Sequence, residues 1–210
     1  MFISFKRIGV AVVLGICAVA MSGVMAQQPP ARSTLRAITY EGDMTNVLSA
    51  LPGAYGVTVG LELDSQRYRH VGIALSDATL TDVMNAIVLA AKKYQWRQTG
   101  EVVEVWPTAG TNPLLETRIN NFNVKNVSAL EAFNRLFTLP EVLANMRELN
   151  LQRRAPDESP DKLISSRLSV SLEGVTLREA LNKIAQESHI EIWIFRNYPN
   201  AFFSISSVDR

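Results

Sequence analysis

The chain has 210 residues and sets 21 basic against 20 acidic side chains, a formal net charge of +1. Its 47% hydrophobic and 20% charged content is enough to bury a core, which excludes wholesale disorder. Near-neutrality excludes a broad basic field for capturing nucleic acid or anionic lipid, and loss of Lys6 and Arg7 with a leader would move the balance to −1.

In chain order, Lys6 and Arg7 form a positive start, and residues 8–21 follow as an apolar stretch able to enter a bilayer as a helix. Val24, Met25 and Ala26 then place small or aliphatic residues where signal peptidase needs them, so residues 1–26 read as a signal peptide cut between Ala26 and Gln27. The competing reading keeps residues 8–26 as an uncleaved inner-membrane anchor, because the run approaches spanning length. The stretch from Leu14 to Cys17 has a lipobox outline, but Ile16 is bulky where a small residue is wanted. Cys17 is the single cysteine. If the leader is removed, the remaining chain has no disulfide, thiolate metal site or cysteine nucleophile, and rests on its apolar core.

Residues 27–36 read as an exposed N-terminal segment, and 37–107 as a first module. Its expected elements are a strand at 35–40, a helix at 43–51 stopped by Pro52 and Gly53, and a strand at 57–63. Next come a strand at 71–75, a helix from Leu80, and a hairpin turning at Thr99 and Gly100 between 96–98 and 102–106. A Gly/Thr/Asn/Pro-rich linker covers 108–113, and residues 114–210 form a second, divergent module. Within it we expect a strand at 118–124, a helix at 128–137, more helical pattern and a short strand near 149–151. An exposed polar loop is expected at 153–162, then a strand from Leu168, a helix from Leu177, and a hairpin turning at 197–200.

The two modules repeat. Residues 70–96 align without a gap on 167–193 at an offset of 97. Val71, Ile73 and Leu75 fall on Leu168, Val170 and Leu172, giving the same period-2 apolar face. Thr79 with Asp82 falls on Thr176 with Glu179, each a capping-box pattern, looser in the first copy where aspartate stands for Glu or Gln. Leu80, Val83, Met84 and Ile87 fall on Leu177, Ala180, Leu181 and Ile184 as one helical stripe, and Trp96 falls on Trp193. Strand, cap, stripe and tryptophan in one register make a repeat signal. The fold class expected is α+β: strand, helix, strand, strand, helix, strand, strand, twice, each copy laying its helices on a small sheet.

This pattern resembles the secretin and TonB short N-terminal domain. The resemblance is carried by Gly42 and Asp43 through Leu51 with 57–63, then 71–75, Thr79, Leu80, Asp82, Val83, Met84 and Trp96, closed by 102–105; the second copy matches best at 168–193. It covers about two-thirds of the chain after the leader, and its motifs are packing motifs, which speak for fold more than for activity. The resemblance implies a periplasmic module that docks onto other envelope proteins. In secretins such modules precede an outer-membrane pore, and in TonB-dependent transducers a β-barrel. No pore or barrel pattern follows here, so the resemblance implies an accessory or adaptor role.

Chemistry finds little footing. His70 and His189, the two histidines, fall on Arg167 and Lys92 in the repeat and mark no shared site, and no metal or cofactor is expected. No nucleophile elbow, HExxH or P-loop occurs, so no catalytic residue is assigned. Asp82 and Glu179 read as caps. Gly53 to Gly56 matches the GxxG of RNA-binding KH modules, but without a flanking cation it reads as a helix-ending turn. The sequon at Asn126 to Ser128 opens a helix, and Trp96 and Trp193 read as core residues rather than interface anchors. Two basic clusters are candidate partner contacts: Arg67, Tyr68 and Arg69, and Arg153 with Arg154. The expected function is a non-enzymatic interaction module of the bacterial envelope, periplasmic or secreted, docking through sheet edges and loops. It would touch no nucleic acid, and the membrane only through a retained leader. The alternative is a small-ligand or glycan-binding protein with a groove between the copies.

Overall fold

The computed structural model describes residues 36–64, 70–153, 165, 167–198 and 202–208. The leader, Ala26, Gln27, the cluster Arg67–Tyr68–Arg69, Arg154 and nearly all of the 153–162 loop lie outside the described residues.

The first module runs β1 (Arg36–Asp43), α1 (Met44–Leu48), α2 (Leu51–Tyr55), β2 (Thr58–Leu63), β3 (His70–Ala78), α3 (Leu80–Ala91), β4 (Tyr94–Thr99) and β5 (Val102–Pro107). A 3-10 turn (Pro113–Glu116) leads into β6 (Arg118–Ser128), α4 (Ala129–Phe137), α5 (Pro140–Glu148), β7 (Gln152–Arg153), β8 (Arg167–Thr176), α6 (Leu177–Glu187), β9 (Ile192–Tyr198) and β10 (Phe202–Val208). Helices packed on small sheets make the fold α+β.

Local chemistry sets these boundaries. Pro52 does not stop a helix, as expected from sequence; it opens α2, where the first turn has no use for its missing N–H. The stop falls at Gly56, whose φ of +66° lets its N–H bond back to the Pro52 carbonyl. Both capping boxes close. Thr79 N–H donates to Asp82 Oδ2 at 2.9 Å, and Thr176 N–H to Glu179 Oε2 at 2.7 Å. The shorter aspartate therefore serves as well as glutamate. Ser128 caps α4 by accepting from Glu131 N–H at 3.1 Å. The β6 strand runs four residues beyond the expected end, and its register shifts between Val124 and Val127, beside Asn126 at φ +52°.

Strand pairing departs from two self-contained sheets. Each module keeps a private antiparallel ribbon, β1 with β3 and β6 with β8. The remaining strands join one six-stranded sheet in the order β4-β5-β2-β9-β10-β7. The first module supplies one half, the second the other, and they meet where β2 runs parallel to β9. Each three-strand half has the same internal order, hairpin then the strand from before the repeat. β4 is antiparallel to β5, and β5, β2 and β9 run parallel, so β4 and its counterpart β9 point in opposite directions. The second module is thus turned over relative to the first.

That inversion places one core on each face of the sheet. Val59, Leu61, Val103, Val105, Ile192 and Ile194 join the core of α1, α2, α3 and β3. Trp193 and Phe195, on the opposite face of β9, join the core of α4, α6, β6 and β8. β9 is consequently buried from Ile192 to Phe195.

Candidate functional site

The second face of β2 and β5 carries Gly60, Glu62 and Glu104, residues that a strand in water would turn outward. Here α6 packs against β2 and buries all three. Arg178, on the first turn of α6, is 3% exposed and donates from Nη2 to Glu62 Oε2 at 2.7 Å. Its Nε donates to Glu116 Oε1 at 3.3 Å, and Nη2 also meets Thr111 Oγ1. Nη1 is buried with no protein partner. Glu62 takes two further bonds from the segment expected to be a linker, from Asn112 N–H at 2.6 Å and Thr111 Oγ1 at 2.7 Å. Residues 111 and 112 are therefore fastened to the seam between the modules, because an ionised Glu62 needs several donors to leave water.

One helical turn on, Asn182 donates from Nδ2 to Glu104 Oε1 at 2.7 Å and accepts from Trp193 Nε1 at 2.8 Å. Glu104 also accepts from Arg97 Nε, and that bond raises the arginine pKa while burial opposes it. Arg97 lies 5.4 Å from the centre of the Trp106 ring. The Trp193 ring lies against Gly60: a Cβ built there would meet Trp193 Cζ2 at 2.6 Å. Only glycine fits.

The repeat makes this seam interpretable. By the offset of 97, Asn182 corresponds to Asn85, Trp193 to Trp96, Arg178 to Thr81 and Gln186 to Leu89. Trp96 Nε1 donates to Asn85 Oδ1 at 3.1 Å, the same bond as in the second module. Yet Trp193 and Asn182 are buried, while Trp96 is half-buried and Asn85 exposed. Leu89, on the same face of α3, is 79% exposed. Trp193 is thus both a core residue and an interface anchor, roles the sequence reading set against each other.

Of the other residues singled out from sequence, Arg153 is half-buried with its guanidinium 4.7 Å from the centre of the Phe137 ring. Burial lowers its pKa. Its charge is committed to an internal aromatic face. His70 is exposed and 3.2 Å from Glu41 Oε1, and His189 is exposed at φ +56°, far along the chain from it. Among the described residues no group of three or more His, Cys, Asp or Glu side chains is placed to hold a metal ion. None of the described helices is long and apolar enough to cross a membrane. A cleft of about 260 Å³ lies where the modules meet, lined by Pro52, Val57, Glu101, Gln186, His189 and Glu191 among others, with no aromatic ring for a sugar to stack on.

Sequence reasoning missed Glu62, Glu104, Arg178 and Asn182. A signal was present in the two glutamates standing inside Val-rich strands and in the aligned asparagines at 85 and 182.

No family model matches the chain, and no solved structure matches it significantly. Among curated proteins it is similar to phosphatidylinositol 3-kinase 1 of Dictyostelium discoideum, 23% identical over 116 residues. That match takes in 55% of this chain and 7% of the kinase, so the chain spans a small fraction of that protein's length.

Proposed function

We propose that this chain is a non-enzymatic docking module of the bacterial cell envelope that captures a partner protein by adding a strand to its sheet. One observation carries this reading: the fold already performs strand addition on itself. β2 of the first module completes the sheet of the second by parallel pairing with β9, and β4, the counterpart of β9, ends the sheet. The resemblance to the secretin and TonB short N-terminal domain supports an envelope setting, with an accessory role beside a larger membrane complex.

The test is a backbone substitution at the sheet's end. Thr99 and Val102 close the β4–β5 hairpin, and antiparallel alternation then directs the N–H groups of Gln98 and Trp96 away from β5. Gln98→Pro removes one outward donor and leaves the hairpin ladder intact. We expect the variant to keep its thermal unfolding transition and lose the envelope protein that the unaltered chain retains in an affinity capture. Equal retention by both would reject docking at this edge.

A further inference from the structure

The seam between the modules also specifies what β4 would accept. Each module carries one docking surface: the outer edge of the hairpin's first strand, overhung by one face of the helix before it. In the second module that surface is β9 with Arg178, Asn182 and Gln186; β2 pairs with β9 and meets Arg178, Glu104 of β5 meets Asn182, and Gln186 lines the cleft. In the first it is β4 with Thr81, Asn85 and Leu89. Three features of the empty surface match the filled one, and one sets it apart. The Asn–Trp bond is present with the same atoms and polarity, at 3.1 Å against 2.8 Å. Trp96, like Trp193, sits near the start of the strand after the helix, at a position facing its own module's core. Thr81, Asn85 and Leu89, spaced by four, form one helical face, as do Arg178, Asn182 and Gln186. The difference is that this face is uncovered while Arg178 and Asn182 are buried and Gln186 half-buried, leaving Leu89 as the exposed large apolar side chain among the described residues.

Resting on the docking function proposed above, we infer that β4 binds a strand of β2's own chemistry, taken from a partner protein and running parallel to β4. Such a strand carries a glycine opposite Trp96, because the equivalent ring leaves no room for a Cβ at Gly60. An acidic side chain two residues after that glycine, on the same side of the strand, lies beside Thr81, as Glu62 lies beside Arg178. The residue two before the glycine, on the same side of the strand, comes under α3 beside Leu89, as Thr58 and Gln186 share the cleft in the second module. A second copy of this chain fits less well. Its matching open edge is β7, where the described residues Gln152 and Arg153 include neither glycine nor acid, and Arg153 is turned onto Phe137.

The probe is a peptide with the sequence of residues 57–64, VTVGLELD, titrated into the isotope-labelled chain and followed by amide chemical shifts. Saturable shifts are expected along β4 and α3. The Gly60→Val form of the peptide should bind at least about tenfold more weakly, and Asn85→Asp or Leu89→Lys in the protein should weaken binding by about tenfold. Both protein positions are exposed, so the fold should persist in each variant. The inference is overturned if the glycine and valine peptides bind alike, or if no shift reaches β4. It is also overturned if binding responds to Asn182→Ala and not to Asn85→Asp, which would mean exchange with the chain's own β2. Failure of the peptide while Gln98→Pro still abolishes partner capture would discard this strand chemistry and leave edge docking standing.

Discussion

Arg178 and Glu62 are 116 residues apart in sequence and 2.7 Å apart in space, both shut away from water in the seam between the repeats. Neither charge would be tolerated there alone. Arg178→Ala should cost about 3–5 kcal/mol, since it strands a buried carboxylate. The double change Arg178→Met with Glu62→Leu should recover most of that loss. Urea unfolding of the single and double variants measures it. If the double variant is as unstable as Arg178→Ala, packing and not charge burial governs the site.

Gly60 and Trp193 test the fit of the internal strand. Gly60→Ala should destabilise by about 1–3 kcal/mol, because the new Cβ cannot move away from the indole. Trp193→Phe in the same chain should relieve part of the strain. Chemical denaturation of the two single variants and the pair checks this, and the coupling between them should be positive.

The repeat provides its own control for the asparagines. Asn182→Ala leaves the Trp193 N–H and Glu104 short of a partner in the interior and should cost about 1–3 kcal/mol. Asn85→Ala breaks the equivalent bond at an exposed site and should fall within about 0.5 kcal/mol of the parent. Differential scanning calorimetry on both would show the gap.

The helix caps should behave as local modules. Thr176→Ala removes the acceptor for Glu179 N–H at 3.2 Å and should cost about 1 kcal/mol. Hydrogen exchange should then rise first in the opening turn of α6.

The carboxyl of Asp82 is held below its ordinary value of 3.8 by the Thr79 hydroxyl and then by the Thr79 N–H. A depressed folded-state pKa means that its contribution to stability is complete above the unfolded value. It is lost as pH falls through the folded one. The stability difference between the parent and Asp82→Asn should therefore be present at neutral pH and shrink below about pH 4. Urea midpoints for both proteins across that window would reveal it.

Much of the fold was legible because its signals are local. The Thr–x–x–acid caps, the period-2 apolar faces at Val71 and Leu168, and the helical stripes from Leu80 and Leu177 each depend on residues within a few positions of one another. So does the turn at Gly100, with its φ of +60°. Pro52 misled the reading because the residue is equally at home after a helix and in the first turn of one. Only the position of Gly56, where a left-handed cap forms, separates those cases.

The sequence by itself determined which side of each strand and helix is apolar, since alternation and 3.6-residue spacing belong to the backbone. It could not determine which polar side meets water. Gly60, Glu62 and Glu104 form the non-apolar face of their strands on any reading, and Asn85 and Asn182 occupy the same place in the same repeated pattern. One asparagine is buried and the other exposed because β2 and β9 pair across more than a hundred residues of chain and turn the second module over onto the first. That pairing joins backbone groups, which every residue shares, so the tertiary structure alone decided where the repeat closes on itself and where it stays open.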